Sequence, residues 1–205
     1  MSIFQDRARR VIQQESEAIR SIPDELIGTT LEGVAHLILQ CGGKIVVTGM
    51  GKNGHIGKRI AATFSCTGTA SVFMHPSESA HGDLGMISPN DILLALSNSG
   101  KTQEIIETVQ KVRESFPSVK IVVITGHPNE TLSQLADISL SYGEIIEPCP
   151  LGLTPSSSLA VMSALSDALA LGIMEMRGFT VEDYGKVHRH GYISKKIAEM
   201  KHQNE

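Results

Sequence analysis

Five short runs of apolar residues, most of them separated by segments with helical periodicity, restrict the possible folds more than any other feature. The runs occupy residues 44–49, 70–74, 91–96, 119–125 and 138–140. They are continuous rather than alternating, as expected of strands that are buried on both faces. Helices are predicted over residues 54–64, 102–115 and 130–136. Strands joined by helical crossovers favour an α/β fold, a parallel sheet between two layers of helices.

Further helices are predicted outside this alternating region. Two precede it, at residues 4–21 and 30–40, and a long apolar helix follows it at residues 156–177. We find neither an internal repeat nor a linker rich in proline and serine. The sequence therefore predicts one domain over residues 1–205, with N-terminal helices at 1–40, an α/β core at 41–180 and a C-terminal helical segment at 181–205.

Composition narrows the classes of partner. The formal net charge of −4 and the absence of tryptophan argue against nucleic acid binding. The three cysteines are widely spaced and form no CxxC pair, which fits a reducing compartment. The N-terminus lacks a signal-peptide pattern, and the longest apolar stretch, residues 159–174, is interrupted by polar residues. We expect a cytoplasmic protein that does not contact a membrane.

The first predicted strand ends in a glycine-rich turn, GMGKNG at residues 49–54. This spacing is shared with dinucleotide-binding folds, which also place an acid at the end of the next strand. That position here reads Phe73-Met74-His75-Pro76, without an acid. Nicotinamide binding is therefore disfavoured, and either a turn that needs glycine or contact with another ligand remains open.

The third predicted strand ends in SNSGKT, at residues 97–102, and a helix follows directly. Hydroxyl groups and backbone N–H groups would converge there on the positive end of the helix dipole, which suits a phosphate dianion. An ordinary N-cap needs one hydroxyl, whereas this segment supplies Ser97, Ser99 and Thr102. The segment therefore favours anion binding.

Three other segments carry candidate chemistry. His75, His81 and nearby acids lie in one loop, but their spacing matches no closed zinc signature, so we predict no metal. Glu147 follows the last strand, and alone it is no better than an exposed loop acid. Cys149 is interpreted as a packing residue without activation. His188 lies in a C-terminal segment, where surface solvation is the simpler interpretation and proton transfer the alternative.

Several long stretches together resemble the SIS (sugar isomerase) domain family, and within it the arabinose-5-phosphate isomerases. The resemblance covers residues 40–186 and is carried by TGMGKNGHIGKRIAATF, HPSESAHGDLGMISPND, LSNSGKTQEI, CPLGLTPSSS and RGFTVEDY. It implies a three-layer sandwich around a five-stranded parallel sheet. It also implies interconversion of D-ribulose 5-phosphate and D-arabinose 5-phosphate without a cofactor, in a homotetramer with active sites shared between subunits.

The resemblance implies roles for individual residues. The catalytic set comprises Lys52, Glu104, Glu147 and His188. The substrate- and phosphate-binding set comprises Gly51, Asn53, His81, Ser97, Asn98, Ser99 and Thr102. Lys52 would stabilise enediolate charge, and His188 would assist ring opening or proton transfer between oxygens. Either Glu104 or Glu147 would be the base, and the sequence does not choose between them.

Two departures from the family pattern leave alternatives open. Many of these isomerases continue into paired CBS modules, which this sequence lacks, and HRHGYIS stands at residues 188–194 where the family reads HPGGALG. Another phosphosugar isomerase, such as a phosphohexulose isomerase, is one alternative. A non-catalytic sugar-phosphate sensor is another, although residues 1–40 show no basic recognition helix.

Overall fold

Five parallel strands form one sheet in the order β2-β1-β3-β4-β5. The structure is a computed structural model that describes residues 2–202. The strands are β1 (Ile45–Gly49), β2 (Ser71–Met74), β3 (Ile92–Leu96), β4 (Lys120–Thr125) and β5 (Ile138–Ser141). The pairing register sets Ile45 opposite both Ser71 and Ile92, so the carboxyl ends of β1 and β3 lie side by side.

Helices cover both faces of this sheet. They are α1 (Ile3–Arg20), α2 (Glu32–Leu39), α3 (Lys52–Cys66), α4 (Pro76–Ser79), α5 (Gln103–Ser115), α6 (Thr131–Leu135), α7 (Ser157–Met176), α8 (Val181–Val187) and α9 (Gly191–His202). A π-helical segment, Leu26–Leu31, leads into α2, and a 3₁₀ helix covers Asp83–Met86. The predicted α/β sandwich with five parallel strands is confirmed.

The alternating direction of side chains along each strand divides the core into two clusters. On one face Val47, Leu94 and Val122 pack against helices that include α2, α3 and α7. On the other face Val46 and Leu93 pack against α5 and α6. Because both faces are buried, the strands need apolar residues at successive positions, which is the pattern visible in the sequence.

Helix α7 is the central helix of the first cluster. Within residues 2–202 it is the one helix that is long and apolar enough to cross a membrane. Half of its apolar window is buried inside the protein, where Val161, Leu165 and Leu169 belong to the core. This degree of burial is typical of the core helix of a globular domain.

Helix α1 buries only part of its apolar face. The sequence groups Phe4 and Ile12 with Ala8 and Val11, but Phe4 and Ile12 are exposed while Ala18 is buried. The helix packs along α7, and the Arg7 guanidinium donates a hydrogen bond to the Pro148 carbonyl at 3.1 Å. Part of the apolar face of α1 is therefore exposed.

Candidate active site

Three loops that follow β1, β3 and β5 enclose a cleft of about 440 Å³ at the carboxyl edge of the sheet. The chain leaves β1 toward β2 on one side and returns to β3 on the other, so the cleft lies at the point where strand order reverses. Ligands of open parallel sheets bind at this point. Its lining includes Lys52, Asn53, Asn98, Ser99, Glu147 and Pro155.

The β1–α3 turn depends on glycine for its shape. Gly51 is the N-cap of α3 at φ +57°, and it provides no side chain to cap the helix. A Cβ on Gly54 would lie 2.6 Å from the Gly49 carbonyl oxygen, so glycine allows α3 to begin close against β1. The turn brings Lys52 and Asn53 to the cleft. Within residues 2–202 the Lys52 ammonium forms no ion pair, so its charge is available to a ligand.

The hydroxyl groups of the β3–α5 loop differ in their surroundings: some bond within the loop, and one lines the cleft. The Ser97 Oγ is buried, lies 3.0 Å from the Thr102 Oγ1 and accepts the Gly100 N–H at 3.2 Å. The Ser99 Oγ accepts the Lys101 N–H at 3.2 Å and lines the cleft. Ser97 and Thr102 therefore shape the loop, whereas Ser99 lies where a ligand would bind. Thr102, the N-cap of α5, makes no side-chain cap, so helix N–H groups remain for an anion.

Glu147 is held by the N-terminus of α7. One carboxylate oxygen, Oε2, accepts the N–H groups of Ser156 and Ser157 at 2.7 and 2.8 Å, and Oε1 accepts the Ser158 N–H at 3.1 Å. These donors fix the carboxylate in the same cleft as Lys52. The two residues are 95 positions apart in sequence, yet the loops after β1 and β5 bring them together at one edge of the sheet.

Three of the candidate residues lie neither in the lining of this cleft nor in the loops that form it. Glu104 is exposed on the first turn of α5, and His81 is exposed just before the 3₁₀ helix. His188 stacks on Tyr184, with ring centroids 4.2 Å apart, and lines a separate cavity of about 410 Å³ between α8 and α9. The chain therefore brings together Lys52 and Glu147 in this cleft, but neither Glu104 nor His188.

The loop with two histidines has a local structural role. The His75 Nδ1 accepts the Ser77 N–H at 3.3 Å and thereby caps the short helix α4. Among residues 2–202, no group of three or more His, Cys, Asp or Glu side chains is placed to hold a metal ion.

Tyr142 is a neighbour of the cleft that sequence reasoning missed. Its hydroxyl donates to the Asn98 Oδ1 at 2.6 Å from a buried position directly after β5. Its place in the sequence, directly after a predicted strand, could have indicated this role, because residues that follow a parallel strand lie at the ligand-binding edge of the sheet.

The surroundings of Cys149 differ from those of a thiol without activation. Hydrogen bonds from the Thr154 side chain, and then from backbone N–H groups of the same loop, lower the pKa of the Cys149 thiol to about 6. A thiol with this pKa is mostly thiolate at neutral pH, and the thiolate is the reactive form.

We expect iodoacetamide to alkylate Cys149 about tenfold faster at pH 7 than Cys41 or Cys66, because an ordinary thiol is only a few per cent ionised there. The rate at Cys149 should reach half its limiting value near pH 6. Peptide mapping by mass spectrometry measures all three rates in one sample. Thr154→Val should move the midpoint upward. A midpoint near pH 8.5 in the unaltered protein, the ordinary value for a thiol, would contradict the expected thiolate.

The fold and cleft define a class of protein: a parallel α/β domain in which a serine-containing loop at a helix N-terminus lies beside a lysine and a carboxylate, where the strand order reverses. The particular family follows from comparison with known proteins. The chain belongs to the SIS domain family, whose model matches residues 38–172. The predicted family is confirmed.

Individual relatives agree with this assignment. The arabinose 5-phosphate isomerase KdsD of Shigella flexneri is 41% identical over 194 residues, which are 95% of this chain and 58% of that protein. The chain thus spans somewhat over half the length of the curated relatives that it matches. A Bacteroides fragilis protein, proposed to be a phosphosugar isomerase involved in capsule formation, has a solved structure with 42% identity and TM-score 0.84. That match covers 92% of this chain and 97% of that one.

A protein from E. coli CFT073 was solved in complex with arabinose 5-phosphate. It is 32% identical to this chain with TM-score 0.86, covering 92% of this chain and 100% of that one. Full coverage at this identity shows that the fold of that protein has a counterpart in the present chain along its whole length.

Proposed function

We propose that this chain is an aldose–ketose isomerase that interconverts D-ribulose 5-phosphate and D-arabinose 5-phosphate. The observation that carries the proposal is the meeting of the Lys52 ammonium and the Glu147 carboxylate in one cleft beside the Ser99 loop. The KdsD relatives are named for arabinose 5-phosphate, and the E. coli CFT073 protein was solved in complex with it. Because the chain spans 58% of the KdsD length, their activity is carried over here as a proposal.

The chemistry assigns a role to each member of the cleft. Starting from the ketose, a base removes a carbon-bound proton from C1, the electron pair forms the C1–C2 double bond, and negative charge develops on O2. A proton then moves from O1 to O2, and return of a proton to C2 as the C1–O1 double bond forms gives the aldose. Glu147 is our choice of base, because it lies in the cleft while Glu104 does not. Lys52 would stabilise the charge on the enediolate oxygen.

The phosphate group would bind at the β3–α5 loop, at the N-terminus of α5. Ser99 and Asn98 line the cleft there, and Ser97 and Thr102 hold the loop in shape. Gly51 and Asn53 would add contacts from the N-terminus of α3. Binding of the remote phosphate orients C1 and C2 toward the base.

Ser99→Ala should raise KM by roughly ten- to a hundredfold and leave kcat within about twofold, since a hydrogen bond to a charged group contributes about 1.5–3 kcal/mol. Steady-state kinetics measures both constants. Ser118→Ala is the matched control, because that exposed serine precedes β4 at the opposite edge of the sheet and bonds to Pro89. An unchanged KM in Ser99→Ala would remove Ser99 from the phosphate site.

The proposal includes a cytoplasmic homotetramer in which neighbouring subunits supply Glu104, His81 and His188 to the cleft. Apolar side chains near the cleft support an assembly, because Leu151 and Leu153 are 78% and 79% exposed and Phe4 is also uncovered. Contiguous exposed apolar patches mark sites of protein–protein contact, and Leu151 and Leu153 lie close together in sequence.

An isomerase assay with D-ribulose 5-phosphate, with the product identified by NMR, tests the proposal directly. We expect D-arabinose 5-phosphate to form without added metal or nicotinamide. A parallel panel of pentose and hexose phosphates separates this activity from that of a phosphohexulose isomerase. Absence of turnover on every phosphosugar would overturn the proposal.

A further inference from the structure

The side chain of Asn98 lies between the cleft and a buried tyrosine. Its Oδ1 accepts the Tyr142 hydroxyl at 2.6 Å, the shortest of the contacts that Asn98 makes. Tyr142 is only 3% exposed, and its backbone N–H continues the sheet by bonding the Thr125 carbonyl at 3.1 Å. The tyrosine is therefore a fixed donor rather than a mobile surface group.

The direction of this hydrogen bond determines which end of the amide reaches the ligand. Burial, and to a smaller extent the negative charge of Glu147, raises the pKa of Tyr142 above its ordinary value, so the phenol keeps its proton. With Oδ1 bound to that proton, Nδ2 is directed away from the tyrosine. Within residues 2–202, Nδ2 has no hydrogen-bond partner, while Asn98 lines the cleft. Two N–H donors are left for a ligand.

The backbone of Asn98 is fixed by the end of β4. Its carbonyl accepts the Gly126 N–H and the Thr125 hydroxyl, both at 3.1 Å, and lies 2.7 Å from the His127 Nδ1. A Cβ on Gly126 would lie 2.6 Å from the Asn98 Oδ1, so glycine is required there for the amide to reach Tyr142. The side chain and the backbone carbonyl of Asn98 are thus both held by residues outside the β3–α5 loop.

We propose that Tyr142 is a positioning residue that orients the Asn98 amide so that its NH₂ group donates to the phosphate of the bound sugar phosphate. Tyr142 itself would not touch the substrate. The inference rests on the proposed function for the identity of the ligand. The coupling itself, in which Tyr142 affects phosphate binding through Asn98, can be tested by ligand binding without any enzymatic turnover.

A double-mutant cycle tests this coupling. Calorimetry measures Kd for D-arabinose 5-phosphate and for inorganic phosphate in the unaltered protein, Tyr142→Phe, Asn98→Ala and the double variant. We expect Tyr142→Phe to weaken both ligands about three- to tenfold, as for loss of one hydrogen bond. Asn98→Ala should weaken them more, and the double variant should equal Asn98→Ala. Tyr192→Phe, at an exposed tyrosine on α9, is the control.

Gly126→Ala disturbs the same contact between the Asn98 amide and Tyr142 by a different substitution. It should weaken phosphate binding in the unaltered background and have a smaller effect when Asn98 is alanine, because the added methyl group then crowds only the Gly143 carbonyl oxygen and the Tyr142 ring. If Tyr142→Phe leaves Kd unchanged, or if the losses of the two single variants add, Tyr142 does not act through Asn98. If inorganic phosphate does not bind, the inference also fails. Absence of isomerase turnover with an intact binding cycle would overturn the proposed function alone.

Discussion

Glu147→Gln is expected to lower kcat by about 10³-fold while KM changes little, because general base catalysis contributes about 10²–10⁴-fold. Gln keeps the size and one acceptor oxygen of the side chain but cannot take up a proton. The substrate phosphate would bind elsewhere, at the loop that contains Ser99. The effect should therefore fall on turnover, which is measured at saturating D-ribulose 5-phosphate.

The comparison variant is Glu104→Gln, at the other candidate base, which is exposed on α5 and does not line the cleft of its own chain. Because Glu147 also caps α7 through three N–H groups, the thermal midpoint of each variant must lie well above the assay temperature. Turnover in Glu147→Gln close to that of the unaltered protein would exclude a carboxylate base at Glu147. A collapse restricted to Glu104→Gln would assign the base to Glu104 supplied by a neighbouring subunit.

The strands were predictable because burial on both faces leaves a local signature. The run at residues 44–49 became β1 (Ile45–Gly49), and that at 119–125 became β4 (Lys120–Thr125). The short helix α4 was missed because one turn is too short to show periodicity. It depends on the His75 cap, a contact that only the folded chain reveals.

Parts of the site follow from the sequence, and other parts do not. Parallel strands place all their carboxyl ends at one edge, so the convergence of residues 52, 99 and 147 could be anticipated from the loops alone. The capping of α7 by Glu147 and the pairing of Tyr142 with Asn98 could not, because both depend on the paths of loops rather than on spacing. His188 aligned with a family position, but within one protomer it packs on Tyr184.

Lys52→Met should lower kcat by about 10²–10³-fold, the effect of removing one donor to a developing oxyanion. Met retains the apolar length of the side chain and removes its charge. Lys58→Met is the matched control, since Lys58 lies on the same helix with its ammonium 5.5 Å from the centre of the Phe73 ring. We expect that control to retain nearly full activity.

The division of the Lys52→Met effect between kcat and KM decides what the ammonium does. A loss in kcat alone means that the charge acts on the enediolate, which exists only along the reaction path. A rise in KM with kcat unchanged would mean that Lys52 binds the phosphate in the ground state, as Ser99 is proposed to do. Lys52→Arg separates charge from geometry, because a guanidinium keeps the charge but distributes it over a planar group. Partial recovery of kcat in that variant would show that positive charge at this end of α3 is the required property.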